Sequence, residues 1–235
     1  MKMKLRIIIA CLLLLGSCRS QVTESYDKEI SILIDQTDHM TVLPDGGRIC
    51  ASLGIDRDKY QGVRISISVI NDRDFNPVES ISLPAENSWF CNKVIREAKI
   101  AKFKNELDRK IASFVSNSSG SLPHSIIYRA CAKQLEVLAS RPAKYKALLV
   151  FSDLLENDQL SFYEPETFYT LKHKPSVIQK QLEQTMPLAD LITINIFMVY
   201  GPVTYEENNR YLVTSGFFSK FFKSKHAWVH VEPSF

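Results

Sequence analysis

The sequence predicts an α/β domain: a doubly wound, mostly parallel six-stranded sheet with helices on both faces and one antiparallel edge strand, a Rossmann-like arrangement. Three observations lead there. Apolar, β-branched runs alternate along the chain with segments of helical period. Two of those runs are apolar almost throughout, as strands covered on both faces must be. A third is bracketed by Pro77 and Pro84, and proline inside a sheet is confined to its edge.

Each element has its own reason. Glu29–Asp35 is a buried strand that stops at a carboxylate, and Val63–Ile70 alternates with period 2, so it has one polar face. Glu79–Leu83 is the proline-flanked edge strand. A helix over Arg96–Val115 repeats Ile100, Phe103, Leu107, Ile111 and Phe114 on one stripe. The loop from Ser116 to Pro123 ends it, and a second helix covers Ser125–Ala139. Ala147–Ser152 is the second core strand and runs into Asp153. A polar stretch reaches Lys174, followed by a helix over Val177–Met186, a strand over Leu191–Val199, a helix over Glu206–Lys223 and a closing strand over Ala227–Val231. The paired phenylalanines Phe217, Phe218, Phe221 and Phe222 fall at helical spacing and read as core.

At 235 residues the chain accommodates one substantial core. With 45% hydrophobic and 23% charged residues it is an ordinary globular composition. The formal charge of +3 comes from the first six residues: without Lys2, Lys4 and Arg6, 26 of the 29 basic residues remain against 26 acidic ones. A neutral body gives no electrostatic basis for binding nucleic acid.

The amino terminus carries its own signal. MKMKLR is basic, and Ile7–Leu15 is an apolar run too short to span a bilayer. It ends in Leu15-Gly16-Ser17-Cys18, which resembles the bacterial lipobox, whose cysteine is acylated before cleavage. The expected organisation is a signal peptide over 1–17, a tether over 18–28 that is lipidated at Cys18, and a domain over 29–235. That places the protein in the cell envelope, lipid-anchored to a bacterial membrane, on the periplasmic or surface face of the outer membrane. Once Cys11 and Cys18 are accounted for, Cys50, Cys91 and Cys131 remain, so at most one disulfide can form. A Cys50–Cys91 pair is open, and Cys131 lies on an apolar helix face.

In open parallel sheets ligands bind beyond the carboxyl ends of the strands. Both core strands end there in aspartate, as Asp35-Gln-Thr-Asp-His39 and as Asp153-Leu-Leu-Glu-Asn-Asp158. With the order of elements, this resembles the von Willebrand factor type A (VWA) family over about residues 28–232. That family's first strand ends in Asp-x-Ser-x-Ser, a later loop supplies a Thr, and the fourth strand ends in Asp. The resemblance implies a metal-ion-dependent adhesion site made of Asp35, Thr37, His39, Ser121 and Asp153, with Ser119 a second choice for the loop hydroxyl. It also implies that strands one and four are neighbours. His39 departs from the pattern, since it stands where a serine belongs and offers nitrogen rather than oxygen. The ion implied is Mg2+ or Mn2+, bound weakly with open coordination positions. Removal of either aspartate is then expected to leave the fold intact.

No GxSxG, P-loop, GxGxxG or HExxH pattern occurs. The sequence therefore indicates a non-enzymatic, membrane-anchored module that binds a protein partner or serves in envelope assembly. Two alternatives stay open. One is a metal-free structural subunit of an envelope complex. The other is a haloacid-dehalogenase-like phosphohydrolase, whose nucleophile is also a strand-end aspartate.

Overall fold

The computed structural model describes residues 26–37, 42–71, 77–116 and 124–235. The expected signal peptide, Cys18, His39, Ser119 and Ser121 lie outside them. In chain order the elements are β1 (Lys28–Asp35), α1 (Gly46–Ser52), β2 (Val63–Ile70), β3 (Val78–Leu83), α2 (Lys93–Ser116), α3 (Ile127–Ser140), β4 (Tyr145–Phe151), α4 (Pro165–His173), α5 (Pro175–Thr185), β5 (Ile194–Val199), α6 (Tyr205–Ser224) and β6 (Trp228–Glu232).

The six strands form one sheet in the order β3-β2-β1-β4-β5-β6, parallel except for β3. The antiparallel strand is the proline-flanked edge, and β1 and β4 are neighbours, both as expected. The central position of β1 explains its composition: Ile30, Ile32 and Ile34 point into one core and Leu33 into the other. The first core packs α1 and α2 over β1 to β3. The second packs α3 to α6 over β1, β4 and β5, and Phe217, Phe218, Phe221 and Phe222 all lie inside it. On the polar face of β2, Arg64 Nε donates to Glu29 Oε2 at 3.0 Å, and Ser66 and Ser80 bond across to the edge strand at 3.0 Å.

Two helices depart from the sequence reading. α1 is seven residues long and opens on Gly46-Gly47, so its apolar period is invisible; it forms because Asp45 Oδ1 accepts from Arg48 N at 2.7 Å. α4 falls within the stretch read as polar. Pro165 opens it, and only Leu171 is buried, too little to show a stripe. β5 also begins three residues late, because Thr193 takes a left-handed conformation (φ 71°) that interrupts the extended run.

The amino end of the sheet is fastened by Arg96, fully buried although it heads an otherwise ordinary helix. Its guanidinium donates to the carbonyls of Lys59 (2.5 Å), Pro84 (2.8 Å) and Gln61 (3.0 Å), which joins α2 to the loops before β2 and after β3. Tyr26 is buried too, and Asp27 Oδ2 accepts from Gly62 N at 2.9 Å, so the folded unit is under way before β1 begins.

Candidate functional site

β1 delivers Asp35 to the carboxyl end of the sheet, where it is 3% exposed. A buried carboxylate needs donors, and four converge on it. Thr37 N (3.0 Å) and Thr37 Oγ1 (2.6 Å) donate to Oδ1, while Ser152 Oγ (2.7 Å) and Ser125 Oγ (3.3 Å) donate to Oδ2. Ser152 Oγ in turn accepts from Leu154 N at 2.9 Å, which directs its proton toward Asp35. Burial pushes the Asp35 carboxyl above its ordinary range, against the opposing pull of these donors.

The parallel register explains which partner Asp35 meets. β1 and β4 pair Ile34 with Phe151, so the next residues, Asp35 and Ser152, share one face of the sheet. Asp153 is one residue beyond. Its Oδ1 accepts from Leu155 N at 2.9 Å, closing a turn at Leu154, whose φ of 63° is left-handed. The Asp153 backbone carbonyl accepts from Thr214 Oγ1 of α6 at 3.2 Å.

Of the five residues the sequence assigned to a metal centre, the structure brings Asp35 and Thr37 into contact and sets Asp153 at the rim of a neighbouring cleft; His39 and Ser121 lie outside the described residues. Sequence reasoning missed Ser125, Ser152 and Glu156. Ser125 is held where it is by a two-way backbone bridge with Asn157 (2.7 and 3.2 Å). Only the strand register and this bridge bring the two serines to Asp35, and neither has a sequence signal.

Glu156 is fully buried beneath the start of α3. The residue preceding that helix, Ile126, offers no side-chain cap, and Glu156 Oε2 accepts from Tyr128 N at 2.7 Å in its place. An acid suits a helix amino terminus. Desolvation nevertheless dominates, with repulsion from Asp158 and Asp35 added, and raises the Glu156 carboxyl to about 8.

A divalent cation such as magnesium wants about six oxygens around it, with carboxylates that can face the ion. Here both oxygens of Asp35 are committed to protein donors. Among the described residues no group of three or more His, Cys, Asp or Glu side chains could hold a metal ion. In this arrangement the described part of the centre is a hydrogen-bonded knot closed on Asp35. Cys50, Cys91 and Cys131 are free thiols, and Cys91 Sγ donates to Glu86 Oε2 at 2.6 Å.

Two clefts open at this end of the sheet. One, of about 480 Å³, is lined by Tyr128, Glu156, Asp158, Gln181 and Thr185. The other, of about 280 Å³, runs between Asp153 and the head of α6 and is lined by Tyr163, Tyr200, Tyr211 and Arg210. Its rim carries exposed Val203. The head of α6 is rigid: Thr204 Oγ1 accepts from Glu207 N (3.1 Å), and Glu207 Oε2 accepts from Thr204 N (3.4 Å) and Val203 N (2.9 Å).

No family model matches the chain, and no curated protein matches it. Among solved structures, one similar chain is described as the crystal structure of the SpRpn10 VWA domain; it is 12% identical, with a TM-score of 0.34, and the match covers 88% of this chain and 89% of that one.

Proposed function

We propose that this chain is a lipid-anchored protein-interaction module of a bacterial cell envelope, and that its partner docks on the carboxyl-end face of the sheet without the help of a metal ion. One observation carries the reading: the cleft beside Asp153 gathers Tyr163 and Tyr200 with Arg210 and Tyr211 of a capped helix, and Val203 is exposed at its rim. Tyrosine and arginine are the residue types that dominate binding energy at protein interfaces, because each combines a large contact area with directional hydrogen bonding. The lipobox-like Leu15–Cys18 segment supports the anchor.

Binding rather than catalysis is favoured by the state of Asp35. A strand-end aspartate acting as nucleophile must reach its substrate, whereas Asp35 is buried and has both oxygens occupied. The same occupancy favours the metal-free alternative over a metal-dependent site at Asp35, Thr37, His39, Ser121 and Asp153.

Cross-linking in native membranes tests the reading. Wild type should capture a protein in the presence of chelator, and Arg210→Glu, at a half-buried position lining the cleft, should reduce that capture by roughly tenfold or more with unchanged circular dichroism. Capture abolished by chelator would return the metal-dependent site. Capture indifferent to Arg210→Glu would move the interface elsewhere, and turnover of phosphate esters would make the protein an enzyme.

A further inference from the structure

The most exposed aromatic residues of the described chain stand together at the opposite end of the sheet. Trp89 and Phe90, 90% and 89% exposed, form the tip of the turn between β3 and α2, and Val94 and Ile95 continue the patch onto the first turn of the helix. The turn is built rather than loose. Asn87 Oδ1 accepts from Trp89 N (2.9 Å), Phe90 N donates to Asn87 O (3.2 Å), and Asn92 Oδ1 accepts from Val94 N (3.0 Å) and Ile95 N (3.3 Å). Holding two large apolar side chains in water on a fixed turn points to a surface that covers them.

Chain entry tells which surface. Tyr26 and Ala85 crowd the same spot: a side chain at Gly62 would meet Ala85 N at 2.9 Å and the Tyr26 ring at 3.4 Å. Trp89 is four residues beyond Ala85, at most about 14 Å of chain. The eight steps from Cys18 to Tyr26 reach at most about 28 Å. A lipid on Cys18 would therefore keep the Tyr26 end of the domain within about 28 Å of the bilayer. Lys93 adjoins the patch. Tryptophan and phenylalanine beside a lysine are suited to the headgroup boundary, where the rings bury apolar area and the ammonium stays among phosphates.

We infer that Trp89 and Phe90, with Val94 and Ile95 behind them, form a second membrane contact that inserts into the bilayer carrying the Cys18 lipid and fixes the domain upright. The Asp35 face, at the other end of the parallel strands, then points away from the membrane toward a partner. The inference rests on the proposed anchor at Cys18.

The test uses the full-length protein, purified with its lipid and reconstituted into phosphatidylethanolamine–phosphatidylglycerol vesicles containing brominated phosphatidylcholine. Trp228→Phe leaves Trp89 as the only tryptophan, since the chain has two. Blue-shifted Trp89 emission that is quenched by the brominated lipid supports insertion. In the matching chain with Phe90, Val94 and Ile95 changed to Ser, the quenching should be lost while the protein still floats with the vesicles. Unshifted, unquenched emission from vesicle-bound, acylated protein overturns the inference and leaves the anchor standing. A shift seen only in native membranes also overturns it, and assigns the patch to a protein. A chain that takes up no fatty-acid label at Cys18 overturns the anchor, and this inference with it.

Discussion

Each end of the sheet is tied by one buried ionisable side chain, a base at the amino end and an acid at the carboxyl end. At the amino end Arg96 gathers three backbone carbonyls from two loops. At the carboxyl end Asp35 gathers one backbone N–H and three hydroxyls from β1's own turn, from β4 and from the segment ahead of α3. A donor fork suits the end where connections present carbonyls, and an acceptor suits the end where hydroxyls converge. What lies outside each knot differs as well: uncovered aromatic side chains at the amino end, polar and tyrosine-lined clefts at the carboxyl end.

The comparison breaks first at Arg96. Arg96→Ala strands three buried carbonyls and leaves a cavity, and should cost about 4 kcal/mol in urea denaturation; a loss below about 1 kcal/mol would mean that the loops pair without it. Asp35→Ala should cost about 3 kcal/mol by the same measurement, because three hydroxyls and an N–H lose their shared acceptor. The structure thereby reverses the expectation of a tolerated substitution, which assumed two repelling carboxylates in one site.

Glu156 adds a pH-dependent effect. In the folded chain its carboxyl stays protonated up to about 8, against an ordinary 4.5. Between these values the folded state holds the extra proton, so its contribution to stability falls as pH rises, levelling off above about 8. Glu156→Gln removes that dependence while keeping an acceptor for Tyr128 N. Wild type should thus lose on the order of 3 kcal/mol relative to the variant between pH 5 and pH 8, measured by denaturation at each pH. A constant difference would show that Glu156 ionises normally. The smallest effect is expected at Trp89 and Phe90: changing both to Ser should alter stability by less than about 0.5 kcal/mol, as befits exposed side chains, and a large loss would mean that they pack in the fold.

The sheet was readable because its cues are local. Continuous apolar runs marked β1 and β4, prolines marked β3 as an edge, and the stripe from Ile100 to Phe114 marked α2. The misses share a cause. α1 and α4 are short and bury little, so tertiary packing rather than periodicity makes them. At the site, sequence picked out Asp35 and Thr37, which lie two residues apart. Asp153 entered as the match to the family's fourth-strand aspartate, yet register puts Ser152 beside Asp35. Ser125 depends on a bridge to Asn157, and Arg96 on carbonyls from loops 12 and 35–37 residues away; a single sequence carries no mark of either.

The Asp35 knot is most directly tested by thermal unfolding of the purified protein in chelator, in millimolar Mg2+ and in millimolar Mn2+. A centre completed by its own donors has the same midpoint in all three. A cation at a hundred times its dissociation constant would instead add about 2.7 kcal/mol, so a midpoint raised by several degrees in either ion, and no longer raised in Asp35→Ala, would contradict the account.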